Sequence, residues 1–157
     1  MFESAEIGHA IAKETFLREA PKLREALLDA QYELKERGDF PLLILIHGFD
    51  GAGRGETMNL VNEWLDPRLI RTVAFDAPDD EEKAQPWLWH FWRHVPGRGG
   101  ITLFDRSGYG RVLVERVEGC TGTDKAPWHL IEANNKYHAR IKVLEILCRA
   151  LAARLGG

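Results

Sequence analysis

Cysteine is scarce in this sequence: 157 residues hold only Cys120 and Cys148. Neither belongs to a CxxC pair or to a zinc-like spacing, which excludes a disulfide scaffold and a zinc module. A reducing, cytoplasmic location is the expectation. Long apolar runs are lacking too. The longest, Leu42 to Ile46, is far short of the roughly 20 residues a membrane-spanning helix needs. The charged opening MFESAEIGHAIAKE has no apolar centre of the kind a signal peptide carries. Neither charge sign is in large excess, since 21 Lys and Arg face 24 Asp and Glu for a formal net charge of -3. Such a chain has no global attraction for nucleic acid or an anionic membrane, so any anion site must be local. Internal repeats and low-complexity linkers are absent.

What is present reads as one globular domain, 1–157, because 45% of residues are hydrophobic and 29% charged. Residues 1–38 form an N-terminal helical segment, which Pro21 is expected to divide into two helices. Residues 40–157 form an α/β core. In it, Phe40 to His47 is a continuous apolar run, the pattern of a strand buried on both faces. A helix follows from about Gly53 to Leu65, then a strand from Leu69 to Phe75. Asp79-Asp80-Glu81-Glu82 opens a helix whose apolar side is aromatic (Trp87, Trp89, Phe91, Trp92) and reads more readily as core than as a base-stacking surface. A third strand spans Gly100 to Asp105, and a helix is predicted over Tyr109 to Val117. A short fourth strand is predicted over Trp128 to Glu132. The last helix is capped by Asn134 or Asn135 and turns Ile141, Leu144, Leu147 and Leu151 inward. Strands alternating with helices imply a three-layer α/β/α fold with a mostly parallel sheet of about four strands.

The sharpest motif is Gly48-Phe49-Asp50-Gly51-Ala52-Gly53-Arg54-Gly55, placed between an apolar strand and a helix. This is Walker A spacing with Arg54 in the lysine position and Gly55 in the hydroxyl position. Glycines let the backbone wrap a phosphate, and the helix start adds unpaired N–H donors and a positive dipole end. Gly51, Ala52, Gly53, Arg54, Gly55 and Glu56 are therefore the expected phosphate cradle. The bland alternative is a tight turn with no ligand. Asp50, inside the loop, is suited to hold Mg²⁺ or orient a phosphate acceptor, or else to bond the turn. A second cluster, Phe104-Asp105-Arg106-Ser107-Gly108-Tyr109-Gly110-Arg111, ends a predicted buried strand on a carboxylate. Asp105 then reads as a Walker B aspartate facing Mg²⁺, with Arg106 and Arg111 as bidentate phosphate donors, or as half of an ion pair with a neighbouring arginine. His90 and His94 have metal-compatible helical spacing without a third ligand, and Lys136 with Arg140 reads as a solvated face.

These blocks resemble the family-2 polyphosphate kinases, above all the polyphosphate:AMP phosphotransferases. The resemblance rests on GFDGAGRGET, LVNEWLDPR, APDDEE…LWHFWRHVP, FDRSGYGRVLVERVEGC and APWHLIEANNKYHARIKVLEIL, and it covers nearly the whole chain. It implies a P-loop kinase fold and Mg²⁺-dependent transfer of a terminal phosphoryl from polyphosphate to a nucleotide, AMP or ADP. Asp50, Arg54 and Asp105 are the implied catalytic residues, with Asp50 and Asp105 the implied metal ligands. The chain departs from the family at Arg54, where lysine is usual, and at His90, Gly108 and Asn135. Family members also carry a further strand and a lid of arginine-bearing helices between the blocks that end at Cys120 and begin at Ala126. Here only Thr121-Gly122-Thr123-Asp124-Lys125 intervenes.

Two functional readings therefore stand side by side. One is a polyphosphate-dependent nucleotide kinase. The other is a catalytically weak or inactive phosphate-binding module, since an arginine finger in comparable chemistry is worth about 10³ to 10⁵ in rate. Beyond these two stands the reading of a fragment completed by another chain. A sheet lacking a strand leaves an exposed edge, so a homo-oligomer is expected.

Overall fold

A computed structural model describes residues 8–48, 53–75, 79–86, 89–105, 129, 131–132 and 135–156. Within them run α1 (Lys13–Arg37), β1 (Leu42–Ile46), α2 (Arg54–Trp64), β2 (Ile70–Ala74), α3 (Asp80–Lys83), α4 (Trp89–Trp92), β3 (Ile101–Asp105) and α5 (Lys136–Leu155). The expected helix over 109–117, the polar connection around 119–126 and Trp87 lie outside the described residues. Among the described residues no helix is long and apolar enough to cross a membrane.

The three strands are parallel in the order β1-β3-β2. Ile46 and Ala74 both stand opposite Asp105, so all three strands bring their C-terminal ends to one edge of the sheet. Two expectations need correction here. The sheet has three strands among the described residues rather than about four, because His129, Ile131 and Glu132 adopt no strand. Glu132 turns instead to the N-terminal segment, where its carboxylate accepts the backbone N–H of Gly8 at 3.0 Å and of His9 at 3.2 Å. The strand buried on both faces is β3 and not β1. Ile101 to Phe104 are buried, whereas every residue of β1 is half-buried. β3 is flanked on both sides, while β1 pairs on one side only among the described residues.

Alternate residues of β3 feed two different cores, as the period of two requires. Ile101 and Leu103 pack with Leu27 and Leu34 of α1, Met58 and Val61 of α2, and Leu144 and Leu151 of α5. Each such leucine, once fully buried, contributes roughly 2 kcal/mol of transfer free energy. Phe104 points the other way and meets the ring of Phe75 at 4.6 Å, which in turn meets Phe91 at 4.8 Å and His90 at 5.0 Å. Helices thus cover both faces, as a parallel sheet demands.

α1 is one helix with Pro21 inside it, not two. Proline removes the bond to the carbonyl four residues back, and that residue, Leu17, is 58% exposed, on the side where water can take its place. Gly38 ends the helix at φ 60°, donating its N–H to Leu34 O. The single helix expected after Asp79 is two four-residue helices, α3 and α4, since Pro86 intervenes. Asp79 and Glu82 close a capping box on α3. Asn135 caps α5 by accepting the His138 N–H at 2.9 Å.

Candidate active site

Gly53 starts α2 from the left-handed region, φ 78° and ψ 17°, a conformation that a side chain would strain. Its carbonyl receives the first intrahelical bond, from Thr57 N at 2.9 Å, and no side chain caps the helix. The N–H groups of Arg54, Gly55 and Glu56 therefore have no intrahelical acceptor. Three donors without a partner among the described residues, and the positive end of the helix macrodipole, suit this turn to an anion. A Cβ at Gly55 would meet nothing within 4 Å, so glycine leaves open space at the position where Walker A carries a hydroxyl.

Into the same place comes Asp105. It ends β3 opposite Ile46, the last residue of β1 before the glycine loop. Its backbone carbonyl accepts the Phe75 N–H at 3.2 Å, which fixes the strand end. Arg54 Nε stands 3.0 Å from Asp105 Oδ1, with the two side chains 18% and 24% exposed. Both atoms are buried, yet the contact lacks hydrogen-bond geometry. The pair is held by Coulomb attraction rather than by a directed bond. The two residues singled out from separate motifs are thus brought together, as the ion-pair reading of Asp105 has it. A carboxylate oxygen without a hydrogen bond suits Mg²⁺, which takes one or two carboxylates and leaves its other positions to phosphate and water.

Glu56 behaves differently from a phosphate ligand. Its side chain is 69% exposed and holds Arg140 Nη2 at 3.3 Å. Glu56 thus keeps its backbone N–H at the start of α2 and ties an arginine of α5 to that turn. Arg140 is 24% exposed and lies over the Phe16 ring at 5.9 Å, so it is not on a merely solvated face. Sequence reasoning missed it because its partner is 84 residues away.

Asp50, Gly51, Ala52, Arg106 and Arg111 lie outside the described residues. His90 pairs with Glu82 at 2.8 Å and His94 meets Arg71 at 3.0 Å. No group of three or more His, Cys, Asp or Glu among the described residues is arranged for a metal ion. The aromatic stretch divides: Phe91 joins the Phe75 cluster, while Trp92 is 63% exposed and Trp89 carries Arg93 over its ring at 4.8 Å.

A strand-terminal aspartate beside the basic residue of a glycine loop is the arrangement of a P-loop phosphotransferase. The family described as Polyphosphate kinase 2 (PPK2) matches residues 10–122 and 120–155. The chain belongs to the polyphosphate kinase 2 family. The two matched stretches of this PPK2 chain meet where the sequence shows its short Cys120–Ala126 connection. A polyphosphate:AMP phosphotransferase of Pseudomonas aeruginosa is 52% identical over 119 residues, which is 76% of this chain and 24% of that protein. An ADP-polyphosphate phosphotransferase 2 of Rhizobium meliloti is 43% identical over 100 residues, 60% of this chain and 33% of that protein. The chain thus spans between about a quarter and a third of these curated relatives. A Pseudomonas aeruginosa PA01 protein described as a polyphosphate kinase 2 has a crystal structure that superposes with a TM-score of 0.88 at 33% identity, covering 100% of this chain and 48% of that one. The Polyphosphate Kinase 2 of Arthrobacter aurescens TC1 shares the fold, with a TM-score of 0.77 at 23% identity over 94% of this chain and 82% of that one.

Proposed function

We propose that this PPK2-family chain performs Mg²⁺-dependent phosphoryl transfer between polyphosphate and a nucleotide, AMP or ADP. The observation that carries the reading is the meeting of Arg54 and Asp105 at 3.0 Å beside the uncapped start of α2. In the direction of synthesis, an oxygen of the nucleotide's terminal phosphate bonds to the end phosphorus of polyphosphate. The bridging P–O bond breaks, and the shortened polyphosphate leaves with that oxygen. Phosphoryl transfer asks chiefly for alignment and charge neutralisation. The N–H groups of Arg54, Gly55 and Glu56 hold phosphate oxygens, and the Arg54 guanidinium turns from Asp105 to the transferring group. Arg140, tethered by Glu56, adds positive charge at the same end. Mg²⁺, when bound by Asp105 and Asp50, supplies further neutralisation of the phosphate oxygens.

A second reading has its own support. Arginine is a broad planar fork where the family carries a compact lysine, and here it lies against the carboxylate that the metal needs. Together with the short 121–125 connection, this favours a module that binds phosphate and turns over weakly. A coupled assay of nucleotide formation from polyphosphate with AMP or ADP, beside calorimetric binding, separates the two. Turnover abolished by Asp105→Ala supports the enzyme; tight binding without turnover in wild type and Arg54→Lys supports the module. Loss of both binding and turnover in the wild-type chain would remove the phosphate-site argument. We further propose self-association along the half-buried β1 edge, so a purely monomeric sedimentation profile counts against that step.

A further inference from the structure

The opposite end of the sheet also gathers positive charge, and phosphoryl transfer makes no use of it. A cavity of about 380 Å³ opens at the N-terminal ends of β2 and β3. Its lining includes Lys35 from the end of α1, Arg68 and Arg71 at the start of β2, His94 after α4, and Gly99 and Thr102. Three residues along β3 separate its lining residue Thr102 from Asp105, or about 10 Å. Among the described residues its lining contains no aspartate and no glutamate.

The state of each cation decides what the cavity attracts. Arg68 is committed to Asp66, with Nη2 to Oδ2 at 2.6 Å. Among the described residues Arg71 is not committed to an acid. Its Nη2 lies 3.0 Å from His94 Nδ1, and because a guanidinium only donates, that nitrogen accepts. The His94 proton therefore sits on Nε2, and the ring is neutral. Burial, and then the nearby Arg71 and Arg93, keep His94 below the usual imidazole range. Lys35 has no carboxylate partner among the described residues. One term opposes this charge: the carbonyls of Leu34 and Lys35 at the end of α1 lie 3.2 and 3.3 Å from where a Gly99 Cβ would be. A helix C-terminus carries about half a negative charge, and Leu34 O already accepts the Gly38 N–H. Two full charges without an acidic partner among the described residues outweigh it.

From this cavity and its unpaired cations, we infer a second phosphate site, taking short inorganic oligophosphate at the end of the sheet remote from the glycine loop. A concave wall of one sign concentrates anions, and the guanidinium fork matches phosphate oxygens. The volume lies in the range of small-molecule sites. Inorganic oligophosphate is favoured over a nucleotide because, among the described residues, no Phe, Tyr or Trp lines the cavity to stack a base.

The test is calorimetric titration of the full chain with tripolyphosphate, without nucleotide or Mg²⁺. The expected result is two sites per chain, of which Lys35→Met with Arg71→Met removes one or weakens it at least tenfold, as a rise in salt also does. Arg54→Met should remove the other. One site abolished by the Lys35 and Arg71 pair but indifferent to Arg54→Met upholds the cavity and counts against the glycine-loop reading. One site abolished by Arg54→Met and indifferent to the pair overturns the cavity, and so does the absence of any binding. A second measurement needs no variant: in the wild-type chain, the amide resonances of Arg71 and Gly99 should shift with tripolyphosphate and not with AMP. Unmoved resonances at saturating tripolyphosphate would sink the inference.

Discussion

Two arginine–aspartate pairs in this chain are built in opposite ways. Asp66 is saturated from within the protein. Arg68 reaches it through Nη2 at 2.6 Å, Nε at 3.0 Å and its backbone N–H at 2.9 Å, and the Tyr32 hydroxyl donates at 2.5 Å. Gln31, 1% exposed, clasps the backbone of the same residue, donating to Asp66 O at 3.2 Å and accepting from Asp66 N at 2.7 Å. These bonds, those of Arg68 and then Tyr32 above all, hold the Asp66 carboxyl well below the usual carboxylate range. Among the described residues Asp105 has only the misaligned approach of Arg54 at 3.0 Å. A charge that ties elements together is finished by its neighbours, whereas one meant for a ligand keeps capacity in reserve. Asp66 joins α1 to the turn before β2; Asp105 waits at the open end of the sheet.

The comparison can be broken from either side. Asp105→Ala should lower nucleotide formation about 10² to 10³-fold, the usual cost of removing one electrostatic group from a transfer site. Its melting midpoint should scarcely change, since no directed bond among the described residues is lost. Asp66→Asn should do the reverse, lowering the midpoint by roughly 5–10 °C while turnover per folded molecule stays level. An Asp66 variant that lost turnover while keeping its stability would erase the distinction. The pH dependence sharpens it. Asp66 and Glu132 have depressed carboxyls, Glu132 chiefly through the Gly8 N–H. They bind fewer protons folded than unfolded, so their stabilisation is complete above the unfolded value near 4 and is lost as pH falls below it. Acid melting of Asp66→Asn should therefore be shallower than that of the wild type. A smaller effect is expected from Arg54→Lys. The compact ammonium should release Asp105 to the metal and raise turnover on the order of 10-fold, measured in the same coupled assay.

Legibility followed the range of the interaction. β1 and β3 could be read to within about two residues because an apolar run with punctuation is a local signal, and the acidic opening of α3 at Asp79 to Glu82 is local too. Arg54 and Asp105 could each be singled out, one by glycine spacing and one by its place at a strand end. Their mutual distance could not, because it depends on β1 lying beside β3. Pro21 misled for the same reason. A proline argues locally for a break, but the packing of α1 along α5 decides otherwise. The Gln31–Asp66 clasp and the Glu56–Arg140 pair join residues 35 and 84 positions apart, and nothing in their immediate sequence announces them.

Asn135 offers the finest cut between scaffold and site. It accepts the His138 N–H at 2.9 Å at the start of α5, one turn before Arg140. If it is scaffold, like Asp66, Asn135→Ala leaves one donor of the first turn unpaired and costs about 1 kcal/mol in denaturant unfolding. Turnover per folded molecule then holds steady, because the later turns of α5 are pinned by buried Leu144, Leu147 and Leu151. Asn135→Asp should recover the cap and add about 0.3–1 kcal/mol through the helix dipole. If turnover in Asn135→Ala falls further than its stability, the cap is setting the position of Arg140, and the reserve of charge at the open end of the sheet extends into α5.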